Sequence, residues 1–143
     1  MDQIDELNTA TLSGTLEDEH GAAINGAAIT SLHVTLRLAA TGEIINSRYS
    51  IDLFVGGTWP TVNGMKITPT NDSTGLITLK LDPLDNAIIG QSTDDAEIHT
   101  VWIQVTTAAS TINKPIEYEV KNNGLRNALG IGRLSHGMEL VEA

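Results

Sequence analysis

The stretch LHVTLRL, residues 32–38, decides the fold class of this chain. Apolar side chains in it alternate with polar ones: Leu32, Val34, Leu36 and Leu38 against His33, Thr35 and Arg37. A period of two places one set of side chains on each face of a β-strand. The stretch therefore predicts a strand with one face in a core and the other toward solvent.

The same alternation recurs along most of the chain. It predicts further strands at about residues 10–17, 43–51, 76–81, 96–107 and 116–120, with short edge pieces near 58–59 and 65–67. Asp82 followed by Pro83 predicts one capped helical turn after the 76–81 strand. About seven short strands separated by turns, with almost no helix, are typical of a two-sheet sandwich. We therefore predict an all-β, immunoglobulin-like β-sandwich.

The apolar sides of these strands form the predicted core. Its members are Leu32, Val34, Leu36, Leu38, Ile77, Leu79, Val101, Ile103, Val105, Ile116, Tyr118 and Val120. Trp102 lies on the opposite face from Val101 and Ile103, so it either fills a second layer or sits exposed at a contact surface. The sequence leaves those two alternatives open.

A length of 143 residues suits one domain with an arm at each end. We predict an acidic N-terminal arm over residues 1–9, disordered unless something ties it down, and a sandwich over 10–122. Residues 123–143 lose the alternation and carry several glycines, so we predict a flexible C-terminal arm there.

Charge and composition exclude several classes of protein. Eighteen acidic residues against eight basic ones give a net charge of −10, which disfavours binding to nucleic acid. The absence of cysteine excludes disulfides and thiolate chemistry. No apolar run approaches the roughly 20 residues of a membrane helix, and the N-terminus lacks a signal-peptide pattern. We therefore expect a soluble chain with neither nucleic-acid nor membrane partners.

No catalytic motif stands out in the sequence. The four histidines are scattered singly at 20, 33, 99 and 136, and no nucleophile motif accompanies them, so we expect no enzyme and no cofactor. The best metal candidate is the acidic stretch DDAEIH, residues 94–99, whose carboxylates suit a hard cation. Charged surface turns are common, so we interpret it as a solvated loop. His33 and His99 lie in predicted strands, where a cross-strand hydrogen-bonding role is expected.

Several segments together resemble a family of small immunoglobulin-like structural proteins of tailed bacteriophages, similar to the N-terminal domain of the baseplate upper protein. The segments are 16–24, 32–36, 41–48, 75–79, 82–86, 97–99 and 116–122. The resemblance implies a non-enzymatic virion protein, present in many copies on the head, neck or tail as a decoration, cement or connector component. Its implied partners are capsid, neck or tail subunits and further copies of itself.

The alternative function is a carbohydrate-binding or adhesin-type β-sandwich module. Such a module is expected to cluster aromatic side chains for stacking on sugars. The five aromatic residues of this chain are scattered along the sequence, which argues against that alternative.

We expect the two arms and Trp102 to contact partners. Asp2, Asp5 and Glu6 are expected to meet a basic patch on a neighbouring virion protein. Apolar side chains of the C-terminal arm, Leu125, Leu129, Ile131, Leu134 and Met138, are expected to dock onto a neighbouring subunit.

Overall fold

The structure is a computed structural model that describes residues 1–90 and 96–122. Its strands are β1 (Asp2–Asp5), β2 (Ala10–Thr15), β3 (Ile29–Leu38), β4 (Ile51–Asp52), β5 (Lys66–Pro69), β6 (Leu76–Leu81), β7 (Ala96–Thr107) and β8 (Thr111–Lys121). Two short 3-10 helices, Gly26–Ala28 and Pro83–Asn86, are the helical elements of these ranges. No helix in the described ranges is long and apolar enough to cross a membrane.

The strands form two packed sheets, as the predicted sandwich requires. The larger sheet has the order β1-β8-β7-β3-β4 and the smaller sheet the order β2-β6-β5. The β1–β8 pair is parallel, and every other pair is antiparallel. Taken in chain order, β2, β6 and β5 occupy the positions of immunoglobulin strands B, E and D, while β3, β7 and β8 occupy those of C, F and G. The immunoglobulin-like β-sandwich is confirmed, with eight strands rather than about seven.

The core lies between the two sheets and contains the predicted apolar residues. Leu36 lies opposite Val101, and Val34 lies opposite Ile103, so the inward faces of β3 and β7 meet in register. Every predicted core residue is buried except Ile116, which packs against the core while half-buried. The alternation of apolar residues therefore identified the inward faces of the long strands correctly.

The predicted 43–51 strand is wrong for most of its length. Only Ile51–Asp52 forms a strand there, and it pairs with His33 and Val34. The segment still follows β3, because Leu38 N donates to Glu43 O at 2.8 Å. Its ladder breaks at Asn46 and Ser47, whose φ angles of 52° and 57° are left-handed and incompatible with an extended strand.

The capped helical turn is present as predicted. Asp82 accepts a hydrogen bond from Leu84 N, and the Asp85 side chain in turn accepts one from Asp82 N at 2.8 Å. Pro83 occupies the first helical position, where its missing N–H costs nothing. The turn ends the β6 strand and places Asp85 and Asn86 in the interior.

The N-terminal segment is a strand rather than a free arm. β1 lies beside β8 with Asp5 opposite Lys121, and Glu6 N donates to Lys121 O at 2.8 Å. Glu6 is only 1% exposed, which corrects its prediction as a surface contact for a partner. The predicted C-terminal arm, with Leu125, Leu129, Ile131, Leu134 and Met138, lies outside the described residues.

Candidate docking surface on the larger sheet

The outward face of the larger sheet carries an exposed tryptophan at its centre. Trp102 on β7 lies between Thr35 of β3 and Pro115 of β8 in one cross-strand row. Its side chain is 41% exposed, so no second layer of described residues covers it. Of the two alternatives for Trp102, the structure supports the exposed position.

Two shallow depressions meet at Trp102. One has a volume of about 440 Å³ and is lined by Arg37, Thr100, Pro115 and Glu117 among others. The second has a volume of about 360 Å³, and its lining includes His33, Tyr49, Gln104 and Asn113. We call this surface, made of His33, Thr35, Arg37, Tyr49, Trp102, Gln104, Asn113, Pro115 and Glu117, the Trp102 face.

Local hydrogen bonds hold the neighbours of Trp102 in place. Ser50 N donates to Thr35 Oγ1 at 2.9 Å, which fixes the chain beside the 64% exposed Tyr49. Arg37 Nη1 donates to Gly42 O at 2.9 Å, and the Arg37 guanidinium carbon lies 6.0 Å from the centre of the Tyr49 ring. The sheet and its β3–β4 connection thus bring a tryptophan, a tyrosine and an arginine to one rigid surface.

The Trp102 face is nearly neutral in a strongly acidic chain. Its formal charges are those of Arg37 and Glu117, which have opposite sign. Most of the eighteen acidic residues therefore lie elsewhere. Two further acidic residues border this face: Asp52, which lies opposite His33, and Glu119, which follows Glu117 on the same side of β8.

A second group of polar side chains lies inside the sandwich and links Glu97, His99 and Tyr118; we call it the Glu97–Tyr118 cluster. His99 Nε2 is 2.7 Å from Glu97 Oε1, and His99 Nδ1 is 3.3 Å from Tyr118 Oη. The Glu97 carboxylate also accepts hydrogen bonds from Ile89 N and Gly90 N. The predicted cross-strand role of His99 is confirmed, since Tyr118 lies opposite it on β8.

This cluster contains an acid, a histidine and a hydroxyl, but the hydroxyl is not available as a nucleophile. Tyr118 Oη donates to Asn86 Oδ1 at 2.9 Å, and the Tyr118 side chain is fully buried. Burial, reinforced by the charges of Asp85 and Glu97, raises the pKa of Tyr118 well above its ordinary range. The arrangement therefore ties strands and loops together and offers no activated oxygen.

A buried ion pair anchors the loop that follows β4; we call it the Arg48–Asp85 cluster. Arg48 Nε lies 2.7 Å from Asp85 Oδ1, and both side chains are almost completely buried. Arg48 Nη2 also donates to Asn63 O at 2.6 Å. The backbone at Gly64 packs directly against the Asp82 side chain. This is possible because Gly64, with a φ of 82°, has no Cβ to collide with Asp82.

No candidate cation site emerges from the part of the chain that the structure describes. Within it, no group of three or more His, Asp or Glu side chains is arranged to hold a metal ion. Asp94 and Asp95 of the acidic stretch lie outside the described residues. The Glu97 carboxylate oxygens are hydrogen-bonded to His99 Nε2, Ile89 N and Gly90 N.

The structure separates some predicted site residues and adds others. Asp2 and Asp5 are exposed on β1, at the edge of the sheet that carries the Trp102 face. Arg37 and Tyr49 lie beside Trp102 on this face, and the sequence predicted neither of them as a site residue. Alternation alone placed Arg37 on the outward side of β3, but nothing local indicated that Tyr49 would lie beside it.

No protein-family model matches this chain, and no curated protein matches its sequence.

Proposed function

We propose that this chain is a non-enzymatic structural protein of a tailed-bacteriophage virion, which docks in multiple copies onto a head, neck or tail protein through the Trp102 face. It acts there as a decoration, cement or connector component. The virion setting rests on the sequence resemblance described above. The docking role rests on one observation, the exposed Trp102 between two depressions with Tyr49 and Arg37 beside it.

The residue types of the Trp102 face favour binding to a protein surface. Tryptophan, tyrosine and arginine are the side chains that most often dominate binding energy at protein interfaces. Trp102 lies on a strand paired on both sides, so little conformational entropy is lost when it is covered. The two depressions offer places for partner side chains on either side of the indole ring.

The test is incorporation into phage particles. Virions produced from the genome that encodes this chain are purified and analysed by mass spectrometry, first with the wild-type allele and then with Trp102→Ala. We expect the wild-type chain in the particles and at least about tenfold less of the Trp102→Ala chain, since a central interface tryptophan contributes about 2 kcal/mol or more. Val55→Ala, at an exposed apolar residue outside the Trp102 face, is the control and should be incorporated normally.

Two results would contradict this proposal in different ways. Absence of the wild-type chain from purified virions would remove the virion setting. Normal incorporation of Trp102→Ala, with a melting temperature equal to that of the wild type, would remove the Trp102 face as the docking surface.

A second candidate function is carbohydrate binding, favoured by one specific observation. Tyr49 and Trp102, far apart in the sequence, line the same depression together with Gln104 and Asn113. Aromatic rings stack on sugar rings, and side-chain amides bind sugar hydroxyls. Saturable oligosaccharide binding that Trp102→Ala abolishes, in a chain absent from virions, would favour this candidate over the first.

A further inference from the structure

The four edge strands of the sandwich differ in how they are protected against pairing with another chain. β1 carries Asp2 and Asp5, β4 is two residues long, and β5 carries Lys66 and Pro69. Charged residues, proline and shortness are the usual devices that prevent a free edge from pairing. β2, with the sequence ATLSGT over Ala10–Thr15, is six residues long and has none of these devices.

The free side of β2 presents a row of backbone groups. Leu16 N donates to Gly75 O, which continues the β2–β6 register and identifies Gly14 and Leu12 as the residues that exchange hydrogen bonds with β6. Thr11, Ser13 and Thr15 therefore direct their N–H and C=O groups away from β6. Within residues 1–90 and 96–122, no strand pairs with β2 on that side.

The topology of the described strands leaves the position beside β2 without a partner from residues 1–90 and 96–122. In an immunoglobulin sandwich, strand A lies next to strand B in the smaller sheet. Here the first strand, β1, pairs with β8 in the larger sheet instead. The smaller sheet consequently ends at the strand that would otherwise be covered.

We propose that β2 pairs antiparallel with β2 of a second copy of this chain, about a two-fold axis at Ser13. The pairing joins the two three-stranded sheets into one continuous sheet of six strands. Ser13 then lies opposite Ser13 of the second copy, and Thr11 lies opposite Thr15. Such an interface is self-complementary and closes as a dimer.

The side chains of this edge are compatible with a second copy, although each copy carries a net charge of −10. Directly opposed serine and threonine side chains stabilise antiparallel pairs through their hydroxyls. The outward faces of β2, β6 and β5 carry no acidic residue within the strands, and the exposed Glu17 lies just beyond the end of β2; these faces consist of Thr11, Ser13, Thr15, Lys66, Thr68, Leu76, Thr78 and Lys80. Because Lys80 lies beside Thr11, the Lys80 side chains of the two copies fall at opposite ends of the paired strands.

This inference concerns a different surface from the Trp102 face and does not depend on the virion setting. Dimerisation through β2 leaves the outward face of the larger sheet uncovered. Failure of either proposal therefore leaves the other intact.

Cross-linking tests the pairing and its register in the full chain. The chain has no cysteine, so Ser13→Cys introduces a single thiol at the proposed two-fold axis. Under mild oxidation we expect a disulfide-linked dimer, because paired Cα atoms lie within the range that a disulfide spans. Thr78→Cys, the cross-strand neighbour of Ser13 on β6, is the matched control and should stay unlinked.

Sedimentation tests the same pairing without a cross-link. We expect a concentration-dependent dimer, which Ser13→Pro weakens at least about tenfold because it removes one N–H from the free edge. Ser13→Thr keeps both that N–H and a hydroxyl at the axis, so it should dimerise normally. A wild-type chain that stays monomeric up to about 1 mM, the weak limit of specific association, would overturn the proposal. Equal cross-linking of the two cysteine variants would overturn it as well, because it would show that the cross-link does not depend on the proposed register.

Discussion

Adjacent residues of the 3-10 helix Pro83–Asn86 serve two buried polar clusters of different character. Asp85 accepts a hydrogen bond from the guanidinium of Arg48. Asn86 Oδ1 accepts a hydrogen bond from the hydroxyl of Tyr118, and Asn86 Nδ2 donates one to Asn8 O. The Arg48–Asp85 cluster is closed to solvent, with side chains 4% and 0% exposed. The Glu97–Tyr118 cluster opens toward the sheet end, where Glu97 is 11% exposed.

The difference between the clusters lies in what each one holds and how it responds to protons. Arg48 bonds to the carbonyls of Val62 and Asn63, so its cluster shapes the loop between β4 and β5. An arginine side chain keeps its charge at any pH that proteins encounter. The second cluster ties β7 and β8 to Ile89 and Gly90 through Glu97 and His99. The second cluster contains a carboxylate, Glu97, whose pKa is depressed, so its contribution to stability depends on pH.

Breaking the Arg48–Asp85 cluster should have the largest effect. Arg48→Ala leaves the Asp85 carboxylate buried without its ion-pair partner, and we expect a loss of about 3–5 kcal/mol in the free energy of unfolding. Denaturant titration measures it. Arg37→Ala is the matched control, because Arg37 lies on the outward face of β3 and should cost less than about 1 kcal/mol. Equal losses of unfolding free energy in the two variants would contradict a stabilising role for the buried Arg48–Asp85 pair.

Removing one hydroxyl from the Glu97–Tyr118 cluster should have a smaller effect. Tyr118→Phe removes the hydroxyl that hydrogen-bonds to both Asn86 Oδ1 and His99 Nδ1, and it leaves the aromatic ring in the core. We expect a loss of about 1–3 kcal/mol, the usual cost of an unsatisfied buried polar group. Tyr49→Phe, at an exposed tyrosine, should change the free energy of unfolding by less than about 0.5 kcal/mol. A neutral Tyr118→Phe would show that the cluster is not needed for stability.

The smallest effect should be the contribution of Glu97 to the pH dependence of stability. Burial acts to raise the pKa of Glu97, but hydrogen bonds from His99, Ile89 N and Gly90 N outweigh it and hold the pKa below its ordinary value of 4.5. A carboxyl group with a depressed folded pKa stabilises the fold above its unfolded pKa. That stabilisation is lost as the pH falls through the folded pKa.

Thermal melts between about pH 6 and pH 3 test this dependence. The wild type should lose stability below about pH 4.5, and Glu97→Gln should lose less over the same interval. Other carboxyl groups with depressed pKa values, such as those of Asp18 and Asp72, contribute equally to both proteins. Parallel curves for the two proteins would contradict a role for Glu97 in acid stability.

Much of the fold follows from neighbouring residues alone. The alternation in residues 32–38, 76–81 and 96–107 predicted β3, β6 and β7 and their inward faces. Asp82 and Pro83 predicted the turn that ends β6. These features can be predicted from the sequence because strand periodicity and helix capping depend on residues close together in the chain.

Tertiary structure alone decided the clusters, the position of β1 and the composition of the Trp102 face. Arg48 and Asp85 lie 37 positions apart, and no local pattern marks either as a buried charge. β1 carries two acidic residues in four and looks like a solvated tail until β8 supplies its hydrogen-bond partners. The alternation of apolar and polar residues predicted that Trp102 points outward. Tyr49 lies beside Trp102 only because Asn46 and Ser47, with left-handed backbone angles, redirect the chain after β3. Local periodicity specifies which way a side chain points, whereas burial, pairing and shared surfaces depend on which distant segments meet.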